Sequence, residues 1–109
     1  MNPQLKAKGQ CDFCPNECNA DMQGARVYPC GDFALPGTGN FSRGAWGACP
    51  ACAALIDAGK WDAQVNRMVE QYTQAFGILA AGRNAQRRMR ETFEEQVKLF
   101  RFHRILQKV

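Results

Sequence analysis

Apolar residues change their spacing abruptly along this chain. Before Lys60 they come in short runs broken by Gly and Pro; from Trp61 onward they recur every three or four residues. The second pattern is that of an amphipathic helix. Trp61, Val65, Met68, Val69, Tyr72, Phe76 and Leu79 predict a packing helix running to Gly82, with Asp62 as its cap and Gly77 weakening its middle by about 1 kcal/mol. A last helix is predicted from Asn84, a good cap, to about Lys108. Met89, Phe93, Val97 and Phe100 form its stripe, but Leu99, Phe102, Ile105, Leu106 and Val109 do not all fall on it, so the final two turns are apolar nearly all round. So broad an apolar surface calls for a second contact, with a partner helix or another protein.

The first half reads differently. Residues 1–10 are polar and read as a flexible lead-in. Asn16 to Gly24 reads as a loop. Arg26-Val27-Tyr28-Pro29 predicts a short strand that Pro29 confines to an edge or an end, and a turn-rich stretch from Gly31 to Gly44 leaves room for one more near Phe41. Ala53 to Gly59 predicts a short helix closed by Gly59. A segment with so little core needs a staple.

Two Cys-x-x-Cys pairs, Cys11/Cys14 and Cys49/Cys52, offer one. Each pair can hold two corners of a tetrahedral site, and together they supply four thiolates to a closed structural zinc centre (one Zn²⁺) with no position for substrate or catalytic water. Structural zinc contributes about 10–16 kcal/mol of apparent binding free energy in finger peptides, more than so small a core could give. The chain's six cysteines also allow a framework of disulfides. Its first residues, Met1 to Lys6, carry no apolar run resembling a secretory signal, and no stretch approaches membrane-spanning length. A cytoplasmic protein is therefore expected, where paired Cys-x-x-Cys motifs favour metal over disulfide. Knuckle, hairpin, second knuckle, helix is the treble-clef order, in which the helix beside Cys52 turns the positive end of its dipole toward the metal. The fold class expected is α+β: a small zinc-stapled treble-clef or zinc-ribbon-like finger over 11–59, a packing helix over 60–82 and a basic amphipathic helix over 83–109.

Cys11-Asp12-Phe13-Cys14, then Val27-Tyr28-Pro29-Cys30-Gly31-Asp32-Phe33, then the run from Gly44 through Trp46, Cys49 and Cys52 to Gly59 form a combined pattern. It resembles small bacterial and phage-borne zinc-finger proteins with a CDFC…YPxxDF…WxACxxCxxLIxAG signature. The resemblance covers roughly residues 11–62. It implies that Cys11, Cys14, Cys49 and Cys52 are the zinc ligands, and it implies no activity. The loop around Cys18 and the arm from Gln86 to Val109 lie outside it.

Charge divides the chain unevenly. Residues 83–109 carry eight Lys/Arg against three Glu, whereas residues 1–82 carry six against seven Asp/Glu. The basic arm points to an acidic partner, nucleic acid among them. Arg83, Arg87, Arg88 and Arg90 are its densest cluster; they read either as a solvated helix face, with Glu91 and Glu94 pairing Arg87 and Arg90, or as phosphate contacts. Cys18 and Cys30 read as a loop thiol and a small, partly buried residue, or else as a substitute ligand or redox pair near the metal. Tyr28, Phe33 and Trp46 read as a cluster beneath the metal site or as an exposed aromatic platform.

Catalysis finds little support. Ser42 and His103 are far apart, with no elbow or triad context, and His103 reads as a helix-surface or interface side chain and not as a ligand. Glu94 and Glu95 are adjacent and point different ways. The expected function is a non-enzymatic zinc-binding interaction protein of phage type with no small-molecule substrate and no membrane contact. It docks through its C-terminal helices, at Phe93, Phe100, Phe102, Ile105 and Leu106, on a protein partner, a second copy or a host complex. The alternative is a nucleic-acid-binding transcriptional regulator using the Arg83–Arg90 face. On the docking view, truncation at Gly82 leaves a folded, zinc-bound remainder that has lost its partner.

Overall fold

In a computed structural model the described residues are 9–18, 22–34, 41, 42, 44–77 and 82–105. They form an α+β structure of three two-stranded antiparallel sheets and three helices. β1 (Gly9–Gln10) pairs with β2 (Glu17–Cys18) around the first knuckle, in the register Gly9 to Cys18 and Gln10 to Glu17. β3 (Arg26–Tyr28) pairs with β6 (Trp46–Ala48), and β4 (Phe33–Ala34) with β5 (Phe41–Ser42). The β3–β6 pairing places Tyr28 opposite Trp46 and delivers the chain directly to Cys49. Gly9 and Gln10, expected within a flexible lead-in, thus form a strand, and the loop expected from Asn16 to Gly24 opens with one. The physical reason is the knuckle: β2 closes it and buries Cys18, which is 1% exposed.

α1 (Pro50–Asp57) starts with Cys49 as its N-cap and Pro50 in its first turn, where the missing N–H costs nothing. It ends as foreseen at Gly59, whose φ of 69° is left-handed. Gly59 N–H bonds Ile56 O at 3.0 Å and Lys60 N–H bonds Leu55 O at 2.9 Å, the paired bonds of a Schellman cap. Lys60, and not the expected Asp62, holds the N-cap position of α2 (Trp61–Phe76), with no side-chain cap bond; Asp62 lies in the first turn. Gly77, at φ 65°, terminates this helix instead of weakening its middle. Leu79, expected on the same stripe, lies outside the described residues.

α3 (Arg83–His103) packs on α2 and then returns to the finger. Its last carbonyl, on His103, accepts from Gly31 N–H at 2.9 Å, and Ile105 N–H donates to Pro29 O at 2.9 Å. Cys30 and Arg104 form an antiparallel bridge. Pro29 sits at a strand end, as its missing N–H requires, and its free carbonyl is what the arm captures.

One core unites finger and helices. Phe100 is fully buried, with ring centroids 5.1 Å from Phe13, 5.5 Å from Trp46, 5.7 Å from Tyr28 and 6.5 Å from Trp61. Tyr28, Phe33 and Trp46 are buried, so they are the cluster and not a platform. Tyr28 O–H donates to Asp57 at 2.8 Å, Asp57 also pairs with Arg26 at 3.0 Å, and Trp46 Nε1–H donates to Ser42 at 2.6 Å. These bonds satisfy the polar ends of otherwise apolar rings. Among the described residues no helix is long and apolar enough to cross a membrane.

Candidate metal centre

Cys11 and Cys14 flank a tight turn closed by Cys11 N–H to Asn16 O at 2.9 Å. Asp12, between them, reaches across to the second knuckle: its carboxylate accepts from Gly47 N–H at 2.6 Å, and its own N–H donates to Gly47 O at 2.9 Å. Phe13 points the other way into the aromatic core, 4.9 Å from Trp46. Two residues of sequence thereby clamp one knuckle to the other and to the core, and the sulfurs follow.

The Sγ atoms of Cys11, Cys14, Cys49 and Cys52 all lie within 4.8 Å of one another, and all four residues are buried. Cys14 and Cys49 Sγ are 3.7 Å apart. Tetrahedral zinc with bonds of about 2.3 Å separates its sulfurs by about 3.8 Å, so the cage fits such an ion. All six cysteines are free thiols, and Cys18 and Cys30 stand outside the cage. The geometry is that of a metal site and not of a disulfide framework.

Donors converge on the sulfurs. Phe13 and Cys49 N–H groups lie 3.4 and 3.3 Å from Cys11 Sγ, Asn16 Nδ2 is 3.5 Å from Cys14 Sγ, and Arg67 Nη2 is 3.7 Å from Cys49 Sγ. Four thiols this close cannot all ionise by themselves. Hydrogen bonding from Cys11 holds Cys14 down at about 6 and Cys49 lower still, while the bonds to Cys14 and Cys49 push Cys11 far up. Cys52 is lowered by Cys11 but raised more by Cys14, Cys49 and burial. A divalent cation held by Cys11, Cys14, Cys49 and Cys52 would resolve this conflict by allowing all four to ionise, with release of their protons. Arg67 is disfavoured as a cation by burial, yet the sulfurs of Cys52 and Cys49 raise it above its ordinary value. Cys18 is pushed up to about 11 by burial, and burial also raises Cys30.

The partner surface needs correction. Phe93 is 8% exposed and Phe100 is buried within the chain's own core, so neither ring is available for docking. The stripe they share with Val97 faces α2 and the finger because the arm folds back. Phe102 and Ile105 are exposed, at 81% and 57%, and Leu106 lies outside the described residues. His103 stacks on Phe33 at 4.8 Å and 12°. Of the basic cluster, Arg83, Arg87 and Arg88 are exposed on α3. Arg87 bonds Asn84 and Arg90 bonds Asn66 on α2, where pairing with Glu91 and Glu94 was expected.

The residues missed were Gln64 and Arg67. A signal existed: Gln64 lies three residues after Trp61 and four before Met68, on the buried face of α2, where a polar side chain requires a reason. No family model, curated protein or solved structure matches this chain.

Proposed function

We propose that this chain is a non-enzymatic zinc-binding interaction protein, a treble-clef-type finger whose two following helices complete its core and carry its binding surface. The observation behind the reading is the closed cage: four buried sulfurs surround the site, leaving no face for substrate or catalytic water. Cys11, Cys14, Cys49 and Cys52 would hold the ion, which supplies the cross-link between knuckles. The order β1–β2 knuckle, β3–β6 antiparallel pair, second knuckle and α1 is what supports the treble-clef reading. With Phe93 and Phe100 buried, docking on a protein partner or host complex falls to Phe102 and Ile105 at the end of α3.

Elemental analysis of protein purified without chelators tests the metal: one zinc per chain supports the reading, and no stoichiometric metal overturns it. Cross-linking in the native host, with Phe102→Ser/Ile105→Ser as the comparison, tests the surface. A partner retained by the double variant removes that surface from the proposal.

The exposure of Arg83, Arg87 and Arg88 favours a second reading, binding of nucleic acid through phosphates. It requires an affinity for duplex DNA or structured RNA that falls steeply with salt and vanishes when Arg87, Arg88 and Arg90 become Glu.

A further inference from the structure

α2 was expected to be a packing helix, yet it turns polar groups toward the sulfurs. Gln64 is fully buried, and neither atom of its amide has a hydrogen-bond partner. It lies beside Cys52, near enough to act on that thiol although outside hydrogen-bond geometry with any group. One turn on, Arg67 brings Nη2 to 3.7 Å from Cys49 Sγ, and its Nε is buried without a partner. A turn further, Gln71 Oε1 accepts from Asn16 Nδ2 at 2.9 Å, and that same nitrogen lies 3.5 Å from Cys14 Sγ. Residues 64, 67 and 71 share one helical face.

We propose that α2 forms the outer shell of the metal centre, with Arg67 and Gln64 as positioning residues that orient Cys49 and Cys52, and with Arg67 also offsetting the charge of the occupied cage. The proposal rests on the tetrathiolate reading above. Four thiolates around a divalent ion carry a net charge of about −2, and a half-buried guanidinium against them offsets part of it. Gln64 belongs to the same arrangement. A buried amide with no partner is costly, and the Cys52 sulfur, on which it acts, offers an acceptor once ionised. An arginine serving only to solvate the helix would extend into water; this one folds its guanidinium inward. The metal centre therefore extends beyond the finger of residues 11–59 into a helix that its cysteine motifs do not include.

The test compares the intact protein with Arg67→Met, Gln64→Met and Arg67→Lys, using Val65→Ala as a packing control on the same helix. Zinc affinity is read by competition with a chromophoric chelator, and the cage by the absorption of the Co²⁺-substituted protein. Arg67→Met and Gln64→Met should bind zinc about 10- to 100-fold more weakly. In Arg67→Met the sulfur-to-cobalt charge-transfer band should move to lower energy, because the sulfur electrons lose a stabilising cation; Arg67→Lys should recover part of both changes. Val65→Ala should leave the band in place, since packing alone does not alter sulfur electronics. Affinities within twofold of the parent together with an unmoved band overturn the proposal, as does a band shift of equal size in Val65→Ala. If Arg67→Met does not fold at saturating zinc, Arg67→Lys decides: an affinity and band nearer the parent than those of Gln64→Met support the role, and a collapse like that of Arg67→Met overturns it. If the parent itself binds no metal, the tetrathiolate reading is what fails; if the parent binds one ion and the variants match it, this proposal alone fails.

Discussion

Replacing Phe100 by Ala should damage the finger, although Phe100 lies nearly fifty residues beyond Cys52, the last cysteine of the cage. The ring is fully buried and meets Phe13, Tyr28, Trp46 and Trp61, with the Arg104 guanidinium 5.7 Å from its centroid. Burying and then deleting a phenylalanine costs about 3–5 kcal/mol through lost transfer energy and the cavity left behind. Aromatic pairs add about 0.5–1.5 kcal/mol each beyond their area. The upper part of that range, about 4–5 kcal/mol, is the expected loss, against a total of about 5–15 kcal/mol for a domain of ordinary stability. Phe102, two residues on and 81% exposed, should cost within about 0.5 kcal/mol when made Ala. Urea unfolding at saturating zinc, followed by tryptophan fluorescence, measures both, since Trp46 and Trp61 both adjoin the Phe100 ring. A loss below about 1 kcal/mol for Phe100→Ala, or equal losses for the two variants, would refute the insertion of α3 into the finger core. The same logic reverses the expectation for truncation at Gly82. Removing Phe93, Val97 and Phe100 opens the core, and the remainder should not fold even with zinc.

Alanine at any one of Cys11, Cys14, Cys49 or Cys52 should abolish stoichiometric zinc and, with it, cooperative unfolding; unchanged metal content in any of the four variants counts against the cage. Iodoacetamide at pH 8 should leave Cys18 nearly untouched in the folded protein, because a thiol pushed up to about 11 is ionised to about one part in a thousand there, and mass spectrometry that found it alkylated as fast as a free thiol would contradict its burial. Both tyrosines are raised above their ordinary value, Tyr28 by burial and then its hydrogen bond to Asp57, Tyr72 by burial first. Raised pKa values in the folded state favour the neutral phenol, so this contribution to stability is intact below about pH 10 and declines as pH rises beyond it. Phenolate absorbance should therefore appear only at higher pH or on unfolding; half-ionisation near pH 10 in the folded protein would exclude it.

Much of this was legible because it is local. Two residues between paired cysteines suffice to bring two sulfurs to one ion, so the spacing of Cys11/Cys14 and Cys49/Cys52 pointed to the cage without knowledge of the fold. Gly59 announced the end of α1 because a left-handed residue there depends on its own backbone alone. The three-and-four rhythm of α2 and α3 marked helices for the same reason.

What the stripes touch is a different matter, because an apolar face looks the same whether it meets its own chain or a partner. Phe93 and Phe100 read as docking residues until Pro29, Cys30 and Gly31 were seen to bind the end of α3 and fold the arm back. Gln64 and Arg67 looked like ordinary helix residues until the packing of α2 set them against the sulfurs. Spacing along the chain decided the three helices and which four sulfurs gather; contacts between residues dozens of positions apart decided that the helices complete the core of the finger, since burial is a relation between segments and no single segment carries it.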